Sequence, residues 1–430
     1  MSTIRVAVGL LLSLGIVRCC AAREWTDNTG VFSVEAEFVE ISQAIVRLRK
    51  PNGAVVLVPL ERLSEADKRY LSSLPGIDIP AVNEALSRIE KALDSKLAFD
   101  FVDTPLGRVA RFLAERGGID IDFDIRALDE IGVDLQTPVT MTNNDGTLTE
   151  ALDPLLKPLR LTWIVHHDVL LITTPIATEA APETRVYVSR GKQDMVALAK
   201  DITANVAPRS WAPGSFAIRQ VLSVGLLINQ TQPTHRLIEK RYADKLKAIQ
   251  PTNMAVPPHP AWTALIDALN KSAPVGFIET PLGKVADSLA ASANVQIGFD
   301  PQALSDIGVS QDAPITRRVK HARFRCVLDL ILADFALTWL PTDSGILITT
   351  PERATDMLEV EFDVRGLTLD PFLVDLIEAL KNTVAPQTWH RPGASLVRHP
   401  EKQFTLAIKN SWAVHWQIAQ VIQDLRQAGK

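Results

Sequence analysis

Two stretches 176 positions apart constrain any fold this chain can adopt: Phe101-Val102-Asp103-Thr104-Pro105-Leu106-Gly107 returns as Phe277-Ile278-Glu279-Thr280-Pro281-Leu282-Gly283. The register then holds without a gap. Phe123-Asp124 meets Phe299-Asp300, Ile131-Gly132-Val133 meets Ile307-Gly308-Val309, and Leu161-Thr162-Trp163 meets Leu337-Thr338-Trp339. Self-similarity at a fixed spacing reads as a duplication. It also supplies an internal control: a residue kept in both copies serves the module, and one found in a single copy serves something else.

Hydrophobic spacing inside each copy alternates between strand and helix. Leu97 to Phe101 reads as a strand, and Thr104 as the cap of a helix that starts at Pro105, where a missing N–H costs nothing. Leu106, Val109, Ala110 and Leu113 form its buried stripe. A strand at Ile119 to Phe123, a helix carrying Leu148, Leu152, Leu155, Leu156 and Leu159, and a closing hairpin follow. The second half of each copy reads strand, helix, strand, strand, helix. The predicted class is α+β multidomain: a small N-terminal β-barrel followed by two tandem repeats of paired small α/β modules. The modules are placed at residues 80–178 and 182–250, then at 261–353 and 357–430. The linker 251–260 holds four prolines, so each half is expected to fold by itself.

Residues 23–75 make a unit of their own. Phe32, Val34, Ala36 and Phe38 alternate with Ser33, Glu35 and Glu37, as on a half-buried strand. Val46 and Leu48 alternate with Arg47 and Arg49, and Asn52-Gly53 is a hairpin turn leading into Val55 to Leu60. Ser64 with Asp67 forms a helix-capping pair.

These residues carry a resemblance. Arg23-Glu24-Trp25-Thr26-Asp27, Gly30, Val34-Glu35-Ala36-Glu37-Phe38, Val46-Arg47-Leu48, Val58-Pro59-Leu60, Leu63-Ser64, Asp67 and Tyr70 resemble the Sla-one homology domain. That family is a Src-homology-3-like barrel of endocytic adaptors that takes short Asn-Pro-Phe peptides, and it also occurs in exported bacterial proteins. Gln43-Ala44 departs from the family, which usually turns there through a glycine. The first module of each copy, with its Thr-Pro-Leu helix start and Leu-Leu-Ile-Thr strand, resembles the secretin and TonB short N-terminal domain. The second module of each copy is similar to the KH-like, ring-building N-domains of secretins. Both resemblances imply assembly or signalling partners in a periplasm, and neither fold is catalytic.

The first 22 residues read as a secretory signal: Arg5, an apolar core from Val6 to Val17, and Cys20-Ala21-Ala22 as a cleavage site. A lipid anchor on Cys19 or Cys20 fits less well, because Arg18 precedes them. Once the leader is removed, Cys326 alone remains of three cysteines, so no internal disulfide is expected. No later segment is long enough to span a membrane. The expected location is therefore the periplasm or cell envelope, or outside the cell. A formal net charge of −5 without a basic cluster excludes a nucleic-acid partner.

Candidate chemistry is sparse. Asp120, Asp122 and Asp124 have calcium-loop spacing but alternate with Ile119, Ile121 and Phe123 as a strand does. His166-His167 point to opposite faces, so no metal is expected, and no cofactor motif is present. His235 and His415, kept in both copies, read as aromatics seating the last helix. Trp211 and Trp389 are candidate interface anchors, although plugging their own cores is the first reading. On the first domain, Arg47, Arg49 and Lys50 form an outward ridge beside which Trp25 would supply an apolar wall for a short peptide. The predicted function is a non-enzymatic protein of the cell envelope that mediates protein–protein interaction or assembly, with proteins or short peptides as partners and weak self-association. The alternatives are a ligand or signal sensor built on the repeats and an enzyme with a site between modules.

Overall fold

The computed structural model describes residues 23–27, 33–42, 45–59, 63–64, 67, 70–71, 84–211, 216–221, 225–249, 257–355, 357–367 and 373–428. The leader reading, the glycine departure at 43–44 and most of the proline linker lie outside the described residues. The chain divides into two compact units, residues 1–81 and 82–430.

The first unit holds an antiparallel sheet of β1 (Arg23–Thr26), β2 (Ser33–Ser42), β3 (Ile45–Arg49) and β4 (Val55–Pro59), in that order. Alternation on β3 is as predicted: Val46 and Leu48 are buried, Arg47 and Arg49 exposed. Gly53 turns β3 into β4 at φ 81°, a value that favours glycine. Trp25 is the centre of the core, 1% exposed, with Tyr70 edge-on at 5.8 Å. Its indole N–H donates to the Ala36 carbonyl at 2.9 Å, which satisfies the one polar atom it buries. Leu63 bridges Asp27, and the buried Asp67 carboxylate accepts from Thr26 N at 2.7 Å and pairs with Arg23 at 2.8 Å. The chain that leaves β4 is thus tied back to β1.

The second unit is built from two segments whose element orders match except for one short helix and a closing strand present only in the first. The first contains α1 (Glu84–Asp94), β5 (Phe99–Pro105), α2 (Leu106–Gly117), β6 (Ile121–Phe123), α3 (Ile125–Glu130), β7 (Pro138–Asn143), α4 (Leu148–Leu156), β8 (Thr162–His166) and β9 (Val169–Thr173). It continues through α5 (Pro175–Ala180), β10 (Glu183–Ser189), α6 (Met195–Asn205), β11 (Ala217–Val221), β12 (Gly225–Gln230), α7 (Gln232–Arg241) and β13 (Leu246–Ala248). The second contains α8 (Pro260–Asn270), β14 (Val275–Pro281), α9 (Leu282–Ala293), β15 (Ile297–Phe299), α10 (Pro301–Ile307), β16 (Pro314–Val319), α11 (Phe324–Ala333), β17 (Thr338–Thr342) and β18 (Gly345–Thr349). It ends with β19 (Leu358–Asp363), α12 (Leu373–Thr383), β20 (Ser395–Arg398), β21 (Thr405–Asn410) and α13 (Trp412–Ala428).

Thr104 does not cap α2, which begins one residue later than expected. The register of β5 on β7 shifts between Phe101 and Thr104, where Asp103 takes φ 43°, and this bulge carries the strand on to Pro105. The Thr104 hydroxyl donates to Val102 O instead. Asp124 and Asp300, by contrast, do cap: their carboxylates accept from Ala127 N, and from Gln302 N and Ala303 N.

The segments, each expected to fold by itself, share two cores. Ile164, Val169 and Leu171 of the first pack in one cluster with Leu265, Cys326 and Leu330 of the second. Val186, Val221 and Leu227 pack with Val360, Val414 and Val421. Ion pairs bind the same contact: Arg317 bridges Asp122 and Asp334, and Arg323 grips Asp168 through Nε and Nη2, both at 2.7 Å. Asp120 accepts from the backbone N–H of Lys320 and His321 at 3.0 and 2.7 Å. Two of the three aspartates with calcium-loop spacing, Asp120 and Asp122, therefore serve docking.

The junction between modules is made differently in the two segments. In the first, the Arg236 guanidinium lies 3.8 Å over the Trp163 ring, and Gln232 exchanges hydrogen bonds with the Val165 backbone. In the second, tryptophans do this work. Trp262, 4% exposed, stands 5.4, 5.1 and 4.5 Å from Trp339, Trp412 and Trp416.

Candidate functional site

Strand register in the first unit sorts its outer face into rows. Arg47 lies opposite Leu57 and Arg49 opposite Val55; on the other side Arg49 lies opposite Glu37, and Glu35 opposite Glu24. Residues paired across antiparallel strands project to the same face. The face therefore presents an aliphatic row on β4, a cationic row of Arg47 and Arg49 on β3 with the half-exposed Lys50 in the turn beyond it, and an acidic row on β2 and β1. Val55 and Leu57 are 51% and 57% exposed, unusual for aliphatics on a small sheet. Sequence reading missed both. Val55-Val56-Leu57-Val58 is apolar at every position, so alternation cannot say which pair faces out.

Trp25 is misplaced by the sequence reading. At 1% exposure it is core, beneath the sheet, and cannot form a wall of an outer groove. Trp211 and Trp389 are half-buried and fold back onto their own modules, their indole N–H groups donating to Val206 O at 2.7 Å and Val384 O at 2.9 Å. An open groove of about 420 Å³ runs past Trp211, lined by Thr203, Pro208, Phe216 and Arg219 of the first segment.

The remaining candidates are structural. His235 sits with Nδ1 2.8 Å from the Tyr187 hydroxyl and Nε2 3.1 Å from Glu183 O, and His415 with Nε2 2.9 Å from Leu358 O. Burial holds both imidazoles below their ordinary range. His166 and His167 are pushed down to about 3, by burial first and by neighbouring positive charge second. Burial likewise raises the Cys326 thiol to about 12, which leaves it inert. Among the described residues no His, Cys, Asp and Glu converge as metal ligands, and no helix is long and apolar enough to cross a membrane.

The fold and outer face of the first unit define a small antiparallel-sheet module with a mixed apolar and charged surface. Residues 19–79 match SLA1 homology domain 1. Over 65 residues the chain is 40% identical to the actin cytoskeleton-regulatory complex protein SLA1 of Mycosarcoma maydis, which covers 15% of this chain and 5% of that protein. It is 36% identical over 76 residues to the protein of the same name from Sclerotinia sclerotiorum, covering 18% and 6%. The Schizosaccharomyces pombe protein is 36% identical over 74 residues, covering 17% and 5%. The chain thus spans about a twentieth of the length of these relatives. Their names place them with the fungal actin cytoskeleton, inside the cell, which overturns the expectation of export to a periplasm or cell envelope.

Proposed function

We propose that the chain is a non-enzymatic protein-interaction adaptor whose first unit takes a short peptide across the outer face of β2, β3 and β4. The observation that carries this reading is the pairing of the exposed Arg47 and Arg49 with the exposed Leu57 and Val55. Arginine offers a planar fork of donors for carboxylate or carbonyl oxygens, and the aliphatic row offers a dry seat for one apolar side chain. Lys50 extends the cationic row, while Trp25 supports the sheet from beneath. The match to SLA1 homology domain 1 supports the same reading.

The second unit is proposed to be a duplicated scaffold, each copy pairing a module similar to the secretin and TonB short N-terminal domain with a KH-like one. Local features repeat in support of it. Asp103 and Glu279 take φ 43° and 47°, Ala207 and Ala385 take 43° and 42°, and Trp163 and Trp339 each donate to an aspartate ten residues earlier.

Selection of short phage-displayed peptides on the full chain tests the adaptor reading. In Arg47→Glu with Arg49→Glu, binding of the selected peptides is expected to fall at least about tenfold, a loss of about 1.4 kcal/mol. Stability should stay within about 0.5 kcal/mol, as for most surface changes. Leu57→Ser should weaken binding as well. Unchanged binding in both variants sinks the assignment of this face.

A further inference from the structure

The two segments of the second unit meet by a step that could repeat. The outer face of the sheet β10–β12 in the first segment receives helices of the second, α12 over β11 and β12, and α13 over β10. The contact is heterologous: sheet face against helix face, not one patch against its twin. Among the described residues of the second unit, each segment therefore has one such face used and one left over, the helix face of the first and the sheet face of the second.

Matched positions show what stands on those remaining faces. Tyr187 pairs with Leu226 as Phe362 pairs with Leu406, so Thr184, Val186 and Val188 correspond to Glu359, Glu361 and Asp363. Val186 is fully buried under the second segment, whereas all three acidic residues are exposed. Val221, buried in the same contact, corresponds to His399. On the helix side the change runs the same way. His235 and His415 bond matching carbonyls, so the buried Val421 corresponds to the exposed Arg241. The buried Ala379 corresponds to Asp201.

One hydrogen bond shows the block at atomic level. Thr184 Oγ1 donates to Thr383 O at 2.6 Å across the contact. In a repeated step Glu359 would stand in place of Thr184 and Asn205 in place of Thr383. A carboxylate has no proton to give a carbonyl, and Asn205 O already accepts from Arg241 at 3.2 Å. In the other half of the contact the attractive groups are missing: Gly298 and Ser344 stand where the first segment has Asp122 and Asp168, and Met141 and Thr147 where the second has Arg317 and Arg323.

We infer that the docking between segments is one step of an open head-to-tail stack whose next member is a second copy of this chain, and that the charged side chains at the two end faces hold that copy off. Stacked repeats need such polar ends to remain soluble. This replaces the weak self-association read from the sequence with a latent one.

The test uses full chains in sedimentation at about 100 µM, where an association of micromolar Kd is saturated. Wild type, the sheet-face variant Glu359→Thr/Glu361→Val/Asp363→Val and the helix-face variant Asp201→Ala/Arg241→Val are each expected to be monomeric. A one-to-one mixture of the two variants should form dimers and stop there. A chain carrying all five changes should form oligomers that lengthen with concentration. A mixture that stays monomeric overturns the inference, as does self-association of either variant alone. Should a valine variant fail to melt cooperatively, Glu359→Gln/Glu361→Gln/Asp363→Asn mixed with Asp201→Asn/Arg241→Gln replaces the pair. A monomeric mixture there overturns the inference equally.

Discussion

Expressed apart, residues 82–250 and 257–430 are expected to lose the cooperative melting of the joined chain and to regain it when mixed. Separation uncovers Ile164, Val169, Leu171, Val186, Val221 and Leu227, all buried in clusters shared with the second segment. Burying an aliphatic side chain is worth about 1.5–3 kcal/mol, so six of them amount to a figure on the order of 10 kcal/mol. That rivals the entire stability of an ordinary domain, about 5–15 kcal/mol. Separation also strands Arg317 and Arg323 without Asp122 and Asp168. Circular dichroism melts of each half and of the equimolar mixture decide the matter. If either half alone melts as sharply and at the same temperature as the joined chain, the shared cores do not govern stability.

Asp168→Ser and Arg323→Thr are each expected to cost about 3–5 kcal/mol, because breaking one side of a buried ion pair leaves the other charge poorly compensated. Asp168 is 7% exposed, and its carboxylate receives both nitrogens of the Arg323 fork together with Arg323 N at 3.2 Å. The substitutes are the residues at the matched positions, Ser344 and Thr147, and Thr147 shares the helix-capping backbone of Arg323. In the double variant the cost should fall well below the sum of the two, since neither charge is then left behind. Denaturant unfolding of the four proteins closes the cycle. Additive losses would mean that the pair is not coupled and that docking rests on its apolar contacts alone.

How much of this could be read from the sequence follows from what repetition and alternation encode. The buried stripe of α2 and the faces of β3 were legible because each is a local pattern. Val55 and Leu57 were not, since a strand apolar at every position has no readable face. Trp25 was misjudged because a tryptophan near the start of a strand looks alike in a core and in a groove; only the hydrogen bond to Ala36 and the contact with Tyr70 separate the two. The docking of the segments escaped for a deeper reason. It depends on residues that differ between copies, such as Asp122 against Gly298 and Cys326 against Glu150, and an argument built on likeness treats those as noise.

The tryptophans at the junction of the second segment's modules give the protein an optical signature of its own. Three of its eight indoles crowd around a fourth, Trp262, at centroid separations of 5.4 Å or less. Rings so close share excitation, so emission and near-ultraviolet dichroism are weighted toward one small region of a long chain. Half of the molecule's indoles thus report whether α8, β17 and α13 remain in register.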